Sequence, residues 1–211
     1  MPMARELVLS AAAVFAAGVL AAKLFYRRQY QPTFSWRSAH TLPSGIRVQL
    51  RSGNSADIGA LYKQIRALAE LHDELDDLLT TEADIRSAFE AGGFHVLLVE
   101  LDGEVVGSAI MQDSYRTWTG PSLYLQDLIV EEKHRGKGIG TLVMRALAAI
   151  AVRRGCNQLF WESHAGNSKA NAFYTDVIGG ETSTGEHQIV TWKLKGVDKL
   201  ASCAEQAHLT G

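Results

Sequence analysis

The chain has 211 residues, of which 46% are hydrophobic and 21% charged, and its formal net charge at pH 7 is −2. This composition is typical of a globular protein with one domain of ordinary size and short appendages, and the weak negative charge argues against nucleic-acid binding. Two cysteines, Cys156 and Cys203, are too few for a disulfide framework, so we expect reduced thiols and a reducing compartment.

The first 28 residues contain a hydrophobic segment. Residues 7–22, LVLSAAAVFAAGVLAA, carry no charge, and with a snorkelling Lys23 they approach the ~20 residues that a transmembrane helix needs. Arg27 and Arg28 follow, so the positive-inside rule places the C-terminal side in the cytosol. We predict a single-pass membrane anchor with a cytosolic domain. Organelle targeting, above all mitochondrial, is the second choice, and a cleaved secretory signal is a third reading that lacks a convincing cleavage site.

Three further segments are predicted along the chain. Residues 29–45 read as an irregular linker because Pro32, Pro43 and Gly45 favour turns. Residues 46–195 form the main domain, and residues 196–211 form a weakly patterned tail, either a short helix or disordered.

Hydrophobic periodicity predicts an α/β domain. Thr81 and Asp84 have the spacing of a capping box and indicate where one helix begins. The predicted elements are a strand at 46–51, helices at 56–74 and 81–91, strands at 94–101, 105–111 and 123–130, a helix at 141–154, a strand at 158–162, a helix from Asn167 or Ser168 to Gly179, and a strand at 188–194.

Acidic residues are concentrated after the first helix, in Asp73-Glu74-Leu75-Asp76-Asp77. The residue types alone favour a solvated surface. Near a cleft, however, several carboxylates raise the local concentration of a polyamine or a lysine-like substrate.

A glycine-rich turn joins the strand at 123–130 to the helix that follows. Its sequence is Arg135-Gly136-Lys137-Gly138-Ile139-Gly140. Glycines allow close backbone approach, and the first N–H groups of a helix attract anions, so this turn predicts a phosphate or pyrophosphate site. The glycine spacing fits neither the dinucleotide fingerprint nor the P-loop.

Three motifs in order carry a resemblance to a known family. Arg135-x-x-Gly138-x-Gly140 resembles the pyrophosphate-binding motif (Q/R)-x-x-G-x-(G/A) of the GNAT N-acetyltransferases. The run W-x-G-x-x-L-Y-L-x-D from Trp118 to Asp127 and the run N-x-x-x-N-x-F-Y from Asn167 to Tyr174 are similar to the diamine (spermidine/spermine and thialysine) acetyltransferase branch. The similarity covers residues 46–194.

The resemblance implies an α/β GNAT fold: a mixed, mostly antiparallel sheet that is splayed at its centre, with helices on both faces. It implies acetyl-CoA as co-substrate, no metal, and a pairing of such domains as homodimers. A bulge in the central strand would open the slot for the thioester. The expected acetyl-CoA contacts are Leu128, Ile129, Val130, Arg135, Gly136, Lys137, Gly138, Ile139, Gly140, Thr141, Phe160, Trp161, Glu162, Asn167, Ser168, Lys169 and Ala170.

The resemblance also implies where the acceptor amine binds. Leu71 and His72 match positions that contact the amine, and the relatives carry an acid where this chain has His72. Trp118 is expected either to pack on the amine or to lie in the core. Gln126 occupies the position of a glutamate that deprotonates the amine through water; a glutamine cannot be a base but can orient a water.

The resemblance, together with side-chain chemistry, implies candidates for the two proton transfers. Tyr174 matches the tyrosine with which the family protonates the departing thiolate, and a phenol is a suitable donor there. The base is expected to be a water chain that ends at Asp127 or His72, the latter because histidine titrates near neutral pH.

We therefore predict an enzyme that acetylates a primary amine of a small molecule, most simply a polyamine, diamine or lysine analogue, with no nucleic-acid partner. The alternatives are a protein or peptide N-acetyltransferase and a membrane-tethered acyl-CoA-binding module without turnover. Gln126 keeps the second alternative open.

Overall fold

A computed structural model describes residues 34–184, 189–195 and 197–205 of the chain. Within these ranges the chain forms eight strands and five α-helices. In chain order they are β1 (Arg37–Thr41), β2 (Arg47–Ser52), α1 (Ile58–Leu71), α2 (Glu82–Glu90), β3 (His95–Leu101), β4 (Glu104–Arg116), β5 (Gly120–Val130), α3 (Ile139–Arg153), β6 (Gln158–His164), α4 (Ser168–Ala172), β7 (Glu181–Thr184), β8 (Ile189–Lys195) and α5 (Val197–Glu205).

The strands form one sheet in the order β1-β2-β3-β4-β5-β6-β8-β7. All neighbouring strands are antiparallel except β5 and β6, which run parallel. This is the mixed, mostly antiparallel sheet that was predicted.

Helices cover both faces of the sheet, and strand alternation divides the buried side chains between them. On one face, Ala109, Met111 and Leu125 pack with the buried residues of α3 and with Leu200 of α5. On the other face, Val96, Leu98 and Ile110 pack with Ile58 and Leu61 of α1. The first is called the α3 face and the second the α1 face.

Helix α3 is the most enclosed helix of the described chain, with ten of its 15 residues buried. A polar cluster fixes its C-terminal end to the sheet: Arg154 Nε donates to Asp113 Oδ1 at 2.8 Å, and His95 Nε2 lies 3.1 Å from Asp113 Oδ2. Burial alone would raise the pKa of Asp113, but the partners His95 and Arg154 hold it below its ordinary value. The C-terminal end of α3 is thereby fixed to β3 and β4.

The capping box predicted at Thr81 and Asp84 is confirmed. The Thr81 side chain accepts from Asp84 N–H while the Asp84 carboxylate accepts from Thr81 N–H, the reciprocal capping box. Asn54 caps a short turn that leads into α1 in the same way, with Asp57 as its partner.

Two elements differ from the prediction. Strand β1 lies within the segment predicted as a linker, because its polar sequence RSAHT gives no apolar alternation at the sheet edge. Strand β7 was not predicted. In the tail, the reading as a short helix holds for α5, whose Leu200 and Cys203 are buried against the α3 face.

The predicted membrane localisation is corrected. No helix within residues 34–184, 189–195 and 197–205 is long and apolar enough to cross a membrane. The longest, α3, has 15 residues and spans about 22 Å, short of the ~30 Å hydrocarbon core. The hydrophobic segment at residues 7–22, on which the prediction rested, lies outside the described residues.

Candidate active site

The central strand β5 contains a bulge at Gln126. In the register with β4, Asp127 lies opposite Ile110 and Leu125 lies opposite Met111, so Gln126 has no partner of its own. Such an extra residue changes the alternation of side chains along a strand. The predicted bulge is present, at the residue where the diamine branch carries its glutamate.

The bulge brings two consecutive polar side chains to the same face. Asp127 lies opposite Ile110, which packs on the α1 face, and directly opposite residues share a face. Gln126 Oε1 accepts from Gln112 Nε2 at 3.0 Å, and Gln112 follows Ile110 by two residues on β4. Gln126 and Asp127 therefore both point toward the α1 face instead of opposing one another.

Strands β5 and β6 part directly after Leu125 and Trp161, the last pair in their parallel register. Beyond this pair β5 continues to Val130, held by β4, and β6 continues to His164, held by β8. The two strand edges that face each other there have no partner strand among the described residues. They form an open slot through the sheet.

The slot separates the predicted pantetheine contacts into two groups. Leu128, Ile129 and Val130 lie on the open stretch of β5, and Glu162 begins the open stretch of β6. Phe160 and Trp161 lie within the paired part, with β5 on one side and β8 on the other. Their main chain is already used in the sheet, so the open edge available for a ligand starts at Glu162.

The glycine-rich turn presents free amides at one end of the slot. Gly138 has φ +86°, a left-handed conformation, and it caps α3. The first bond of the helix runs from Leu142 N–H to Gly138 O, so the amides of Ile139, Gly140 and Thr141 precede the helical ladder. A Cβ added at Gly136 or Gly138 would meet nothing within 4 Å, so an anion can approach the main chain closely.

Two basic side chains brace this turn. Arg135 Nε donates to Val130 O at 2.8 Å, and Lys137 Nζ donates to Lys133 O at 2.8 Å. Both residues are exposed and add positive charge beside the helix start. Together with the open amides they meet the requirements of a diphosphate group.

Tyr174 lies on the α3 face of the sheet. Its ring packs against Trp161 at 5.2 Å and against Trp192 at 5.7 Å between centroids. Burial raises the pKa of Tyr174 to about 12, so the hydroxyl stays protonated at neutral pH. Its neighbour Phe173 approaches the start of α3, with Cζ 3.7 Å from a Cβ built at Gly140.

A patch of ionisable groups lies on the opposite, α1 face. Burial raises the pKa of the Asp127 carboxyl above its ordinary value. Burial, and then the charges of Glu162 and Asp127, raise the pKa of Tyr124, whose hydroxyl lies 3.5 Å from Glu162 Oε2. The Tyr124 ring stacks on Phe160 at 4.8 Å. The two groups predicted for proton transfer, Asp127 and Tyr174, therefore lie on opposite faces with the slot between them.

The predicted amine-binding residues are only partly brought together. His72 ends α1, and its ring stacks on His164 at the end of β6, which places it at the α1 side of the slot. Leu71 is 59% exposed beside it. Trp118 is 98% exposed at the tip of the β4–β5 hairpin, so the alternative that it is a core residue is wrong.

The helix after β6 begins as predicted. Asn167 Oδ1 accepts from Ala170 N–H at 3.2 Å and caps α4, whose first residues are Ser168 and Lys169. Asn171 donates to the main-chain oxygens of His164 and Ala165, which fixes the end of β6.

Sequence reasoning missed Gln112, Tyr124 and His164 as members of this site. The signal was present in part: Tyr124 lies two residues before Gln126, and His164 lies two residues after Glu162, so each pair shares a strand face. The contact of His164 with His72 joins residues 92 positions apart and has no sequence signal.

Two other predictions concern thiols and metals. Cys156 and Cys203 are free thiols, and both are buried. In the described part of the chain, no group of three or more His, Cys, Asp or Glu side chains is placed to hold a metal ion. The predicted homodimer stays a prediction.

Comparison with known proteins agrees with this geometry. The family described as "Acetyltransferase (GNAT) family" matches residues 61–179. The thialysine N-epsilon-acetyltransferase of Mus musculus is 30% identical over 158 residues, which cover 70% of this chain and 92% of that protein. The spermidine/spermine N(1)-acetyltransferase-like protein 1 of Homo sapiens is 29% identical over 136 residues, 60% of this chain and 20% of that protein.

A solved structure shows the same fold. The acetyltransferase of Salmonella typhimurium that was determined with its cofactor acetyl-CoA superimposes with a TM-score of 0.57 at 20% identity, over 70% of this chain and 93% of that one. From the family match and the mouse relative, the chain belongs to the Acetyltransferase (GNAT) family and is an acetyl-CoA-dependent N-acetyltransferase.

Proposed function

We propose that the protein acetylates a primary amine of a small molecule, such as a polyamine, diamine or lysine analogue, by direct transfer from acetyl-CoA in a ternary complex. The observation that carries this proposal is the slot between β5 and β6, with a carboxylate on its α1 face and a tyrosine on its α3 face. The names of the thialysine and spermidine/spermine relatives support this class of acceptor.

We assign the diphosphate of acetyl-CoA to the start of α3. The open amides of Ile139, Gly140 and Thr141, with Arg135 and Lys137 beside them, would hold the diphosphate. The pantetheine arm would then run between the open edges of β5 and β6, where the stretch Leu128 to Val130 is paired with β4 on one side and faces the slot on the other.

Transfer begins with loss of a proton from the acceptor ammonium, through water, to Asp127. A raised pKa makes the Asp127 carboxylate a stronger base than an exposed aspartate. Gln126, held by Gln112, would orient the water. His72 is the other candidate for the base, and it lies farther along the α1 face, against His164.

The free amine then attacks the acetyl carbon, a C–N bond forms, and a main-chain N–H of the open β5 edge stabilises the oxyanion. Collapse breaks the C–S bond, and Tyr174 donates its proton to the thiolate. The amide nitrogen loses its remaining extra proton, which restores Tyr174, and Asp127 releases the first proton to solvent. Burial keeps the Tyr174 hydroxyl protonated, and the same apolar surroundings increase the proton affinity of the departing sulfur. The balance is ammonium plus acetyl-CoA to N-acetyl amine, CoA and one proton.

Turnover of an amine panel tests the proposal. Wild-type protein is incubated with acetyl-CoA and with spermidine, a diamine or a lysine analogue, and free thiol is measured with the N-acetyl product identified by mass spectrometry. We expect acetylation of at least one of these amines. Binding of acetyl-CoA with no turnover of any of them would favour the non-catalytic binding module, and turnover of N-terminal peptides alone would favour the protein-acceptor alternative.

The diphosphate assignment is tested by Gly138→Ala with Gly155→Ala as the matched control. Both glycines have positive φ, at opposite ends of α3, and a Cβ at either meets nothing within 4 Å. Each substitution should cost about 1–2 kcal/mol of stability. Only Gly138→Ala should weaken acetyl-CoA binding, by about tenfold in calorimetry, because its methyl group would occupy the space beside the open amides where the diphosphate is proposed to lie. Equal affinities in the two variants would contradict the assignment.

Tyr174→Phe tests the general acid. The variant keeps the ring packing against Trp161 and Trp192 but has no proton to donate, so kcat should fall about 100-fold while the Kd of acetyl-CoA stays unchanged. Tyr115→Phe, at a residue 63% exposed, is the control and should retain full activity. A Tyr174→Phe variant that is fully active at every pH removes this residue from the chemistry.

Asp127→Asn tests the base, with stability as an independent readout. Because burial raises the pKa of Asp127 above 3.8, ionising it costs the folded state more than the unfolded chain, a cost that is present at neutral pH and vanishes as the pH falls below 3.8. The variant should therefore lose about 100-fold in kcat yet unfold at the same or a higher temperature at pH 7. Unchanged kcat would instead favour His72 as the base.

A further inference from the structure

Two tryptophans on neighbouring strands pack on the ring of Tyr174. Trp161 of β6 and Trp192 of β8 lie directly opposite each other in the antiparallel register. Their ring centroids lie 5.2 Å and 5.7 Å from that of Tyr174, and both indoles are buried. Each indole carries one N–H donor and no acceptor, so the two residues differ only in what that donor does.

Only one of the two donors is used. Trp192 Nε1 donates to Ser163 Oγ at 2.6 Å, and the Ser163 hydroxyl donates in turn to Asn171 Oδ1 at 2.6 Å. Trp161 Nε1 is enclosed and has no hydrogen-bond partner in the described part of the chain. A buried donor without a partner lowers the stability of a fold, and native structures keep few of them. The Trp161 N–H therefore lacks a partner that the resting protein does not supply.

Trp161 lies at the closed end of the slot. With Leu125 it forms the last pair before β5 and β6 part, and its side chain belongs to the core of the α3 face, against which Tyr174 packs. In the proposed transfer the thiolate leaves beside Tyr174. The unused donor is thus adjacent to the residue that gives up a proton.

The main chain around Tyr174 is shaped to bring it onto the indoles. Residues Phe173–Val177 form a single π-helical turn, a rare conformation that is frequent at functional sites. Gly180 N–H donates to Tyr174 O at 2.8 Å. A Cβ at Gly180 would lie 3.3 Å from ring atoms of both Trp161 and Trp192, so a glycine here lets the chain close onto the two rings.

The chemistry proposed for Tyr174 creates a charge where the unused donor lies. When the O–H bond breaks and the S–H bond forms, the electron pair stays on the phenol oxygen. Burial raises the pKa of Tyr174 to about 12, because apolar surroundings disfavour the phenolate. An N–H donor opposes that cost, since hydrogen bonds to charged groups are the stronger ones. At a centroid separation of 5.2 Å, a small change in side-chain torsion brings the indole N–H within hydrogen-bonding range of this oxygen.

We infer that the Trp161 indole N–H donates to the Tyr174 oxygen as that oxygen gives its proton to the leaving thiolate, which makes Trp161 a positioning residue for the general acid. The inference rests on the proposed function and deepens it. Trp161 keeps its own proton, and the bond lasts until Tyr174 is protonated again. An interaction that is absent from the resting state and present during transfer accelerates the chemical step.

Trp161→Phe tests the inference, with Trp192→Phe as the matched control. Each variant keeps an aromatic ring against Tyr174 and loses one N–H, but only Trp161 holds an unused donor. Trp161→Phe should lower kcat about tenfold, and it should have no further effect in a Tyr174→Phe background, because the donor acts through that hydroxyl. Trp192→Phe should instead lower the melting temperature, through loss of its bond to Ser163.

A second readout does not depend on turnover. Tyr174 is replaced by difluorotyrosine, whose phenol ionises at lower pH than that of tyrosine, and the ionisation is followed by absorbance. A donor to the phenolate lowers its pKa, so Trp161→Phe should raise the pKa of this probe by about one unit. Trp192→Phe should leave the pKa of the probe close to its value in the otherwise unchanged protein.

The outcomes separate the inference from the proposed function. An unchanged probe pKa in Trp161→Phe overturns the inference, and so does an equal rise in both tryptophan variants, which would make it an effect of packing. A loss of kcat that persists in the Tyr174→Phe background also overturns it, because Trp161 would then act elsewhere. If the probe responds as expected while Tyr174→Phe is fully active, the contact exists but the general acid is wrong, and the inference fails together with that role.

Discussion

The parting of β5 and β6 after Leu125 and Trp161 is the constraint on which the rest of the site depends. Parallel neighbours inside a sheet normally satisfy each other's main-chain groups along their full length. Here each strand is held on its outer side, β5 by β4 and β6 by β8, while the inner edges stay unpaired. The sheet thus provides a row of unpaired donors and acceptors, which an extended ligand can satisfy as an additional strand would.

The bulge at Gln126 is the local cause of much of this arrangement. It inserts one residue on the slot side of the last β5–β6 pair, and it turns Gln126 and Asp127 to the same face. The carboxylate thereby reaches the α1 face while Tyr174 stays among aromatic rings on the α3 face. In the proposed direct transfer, Asp127 would act on the nucleophile and Tyr174 on the leaving group from opposite faces, without a covalent enzyme intermediate. Burial raises the pKa of both groups, which would suit the proposed roles of Asp127 as base and Tyr174 as acid.

Much of the fold could be predicted from the sequence because local signals are strong where packing is strong. Each of these signals depends on residues that are close in the sequence: the glycine turn, the capping residues Asn54 and Thr81, and the apolar pattern of α3. Strand β1 was missed, and the tail was left open between a short helix and disorder, because the sequence patterns of β1 and α5 are weak. The same holds in the site: Tyr174 and Asp127 belong to contiguous motifs, whereas the meeting of His72, Glu74 and His164 depends on how α1 and β6 are placed by the sheet. Whether Trp118 packs inside or projects outward is likewise a tertiary outcome.

The account's central claim is that acetyl-CoA occupies the open edges of β5 and β6 and the amides at the start of α3. Amide hydrogen exchange of the full chain, measured by mass spectrometry with and without acetyl-CoA, tests it most directly. Peptides covering Leu128–Val130 and Ile139–Thr141 should become protected on binding, while peptides at the far end of α3, around Gly155, should exchange as before. Acetyl-CoA that binds without protecting these two segments would contradict the claim.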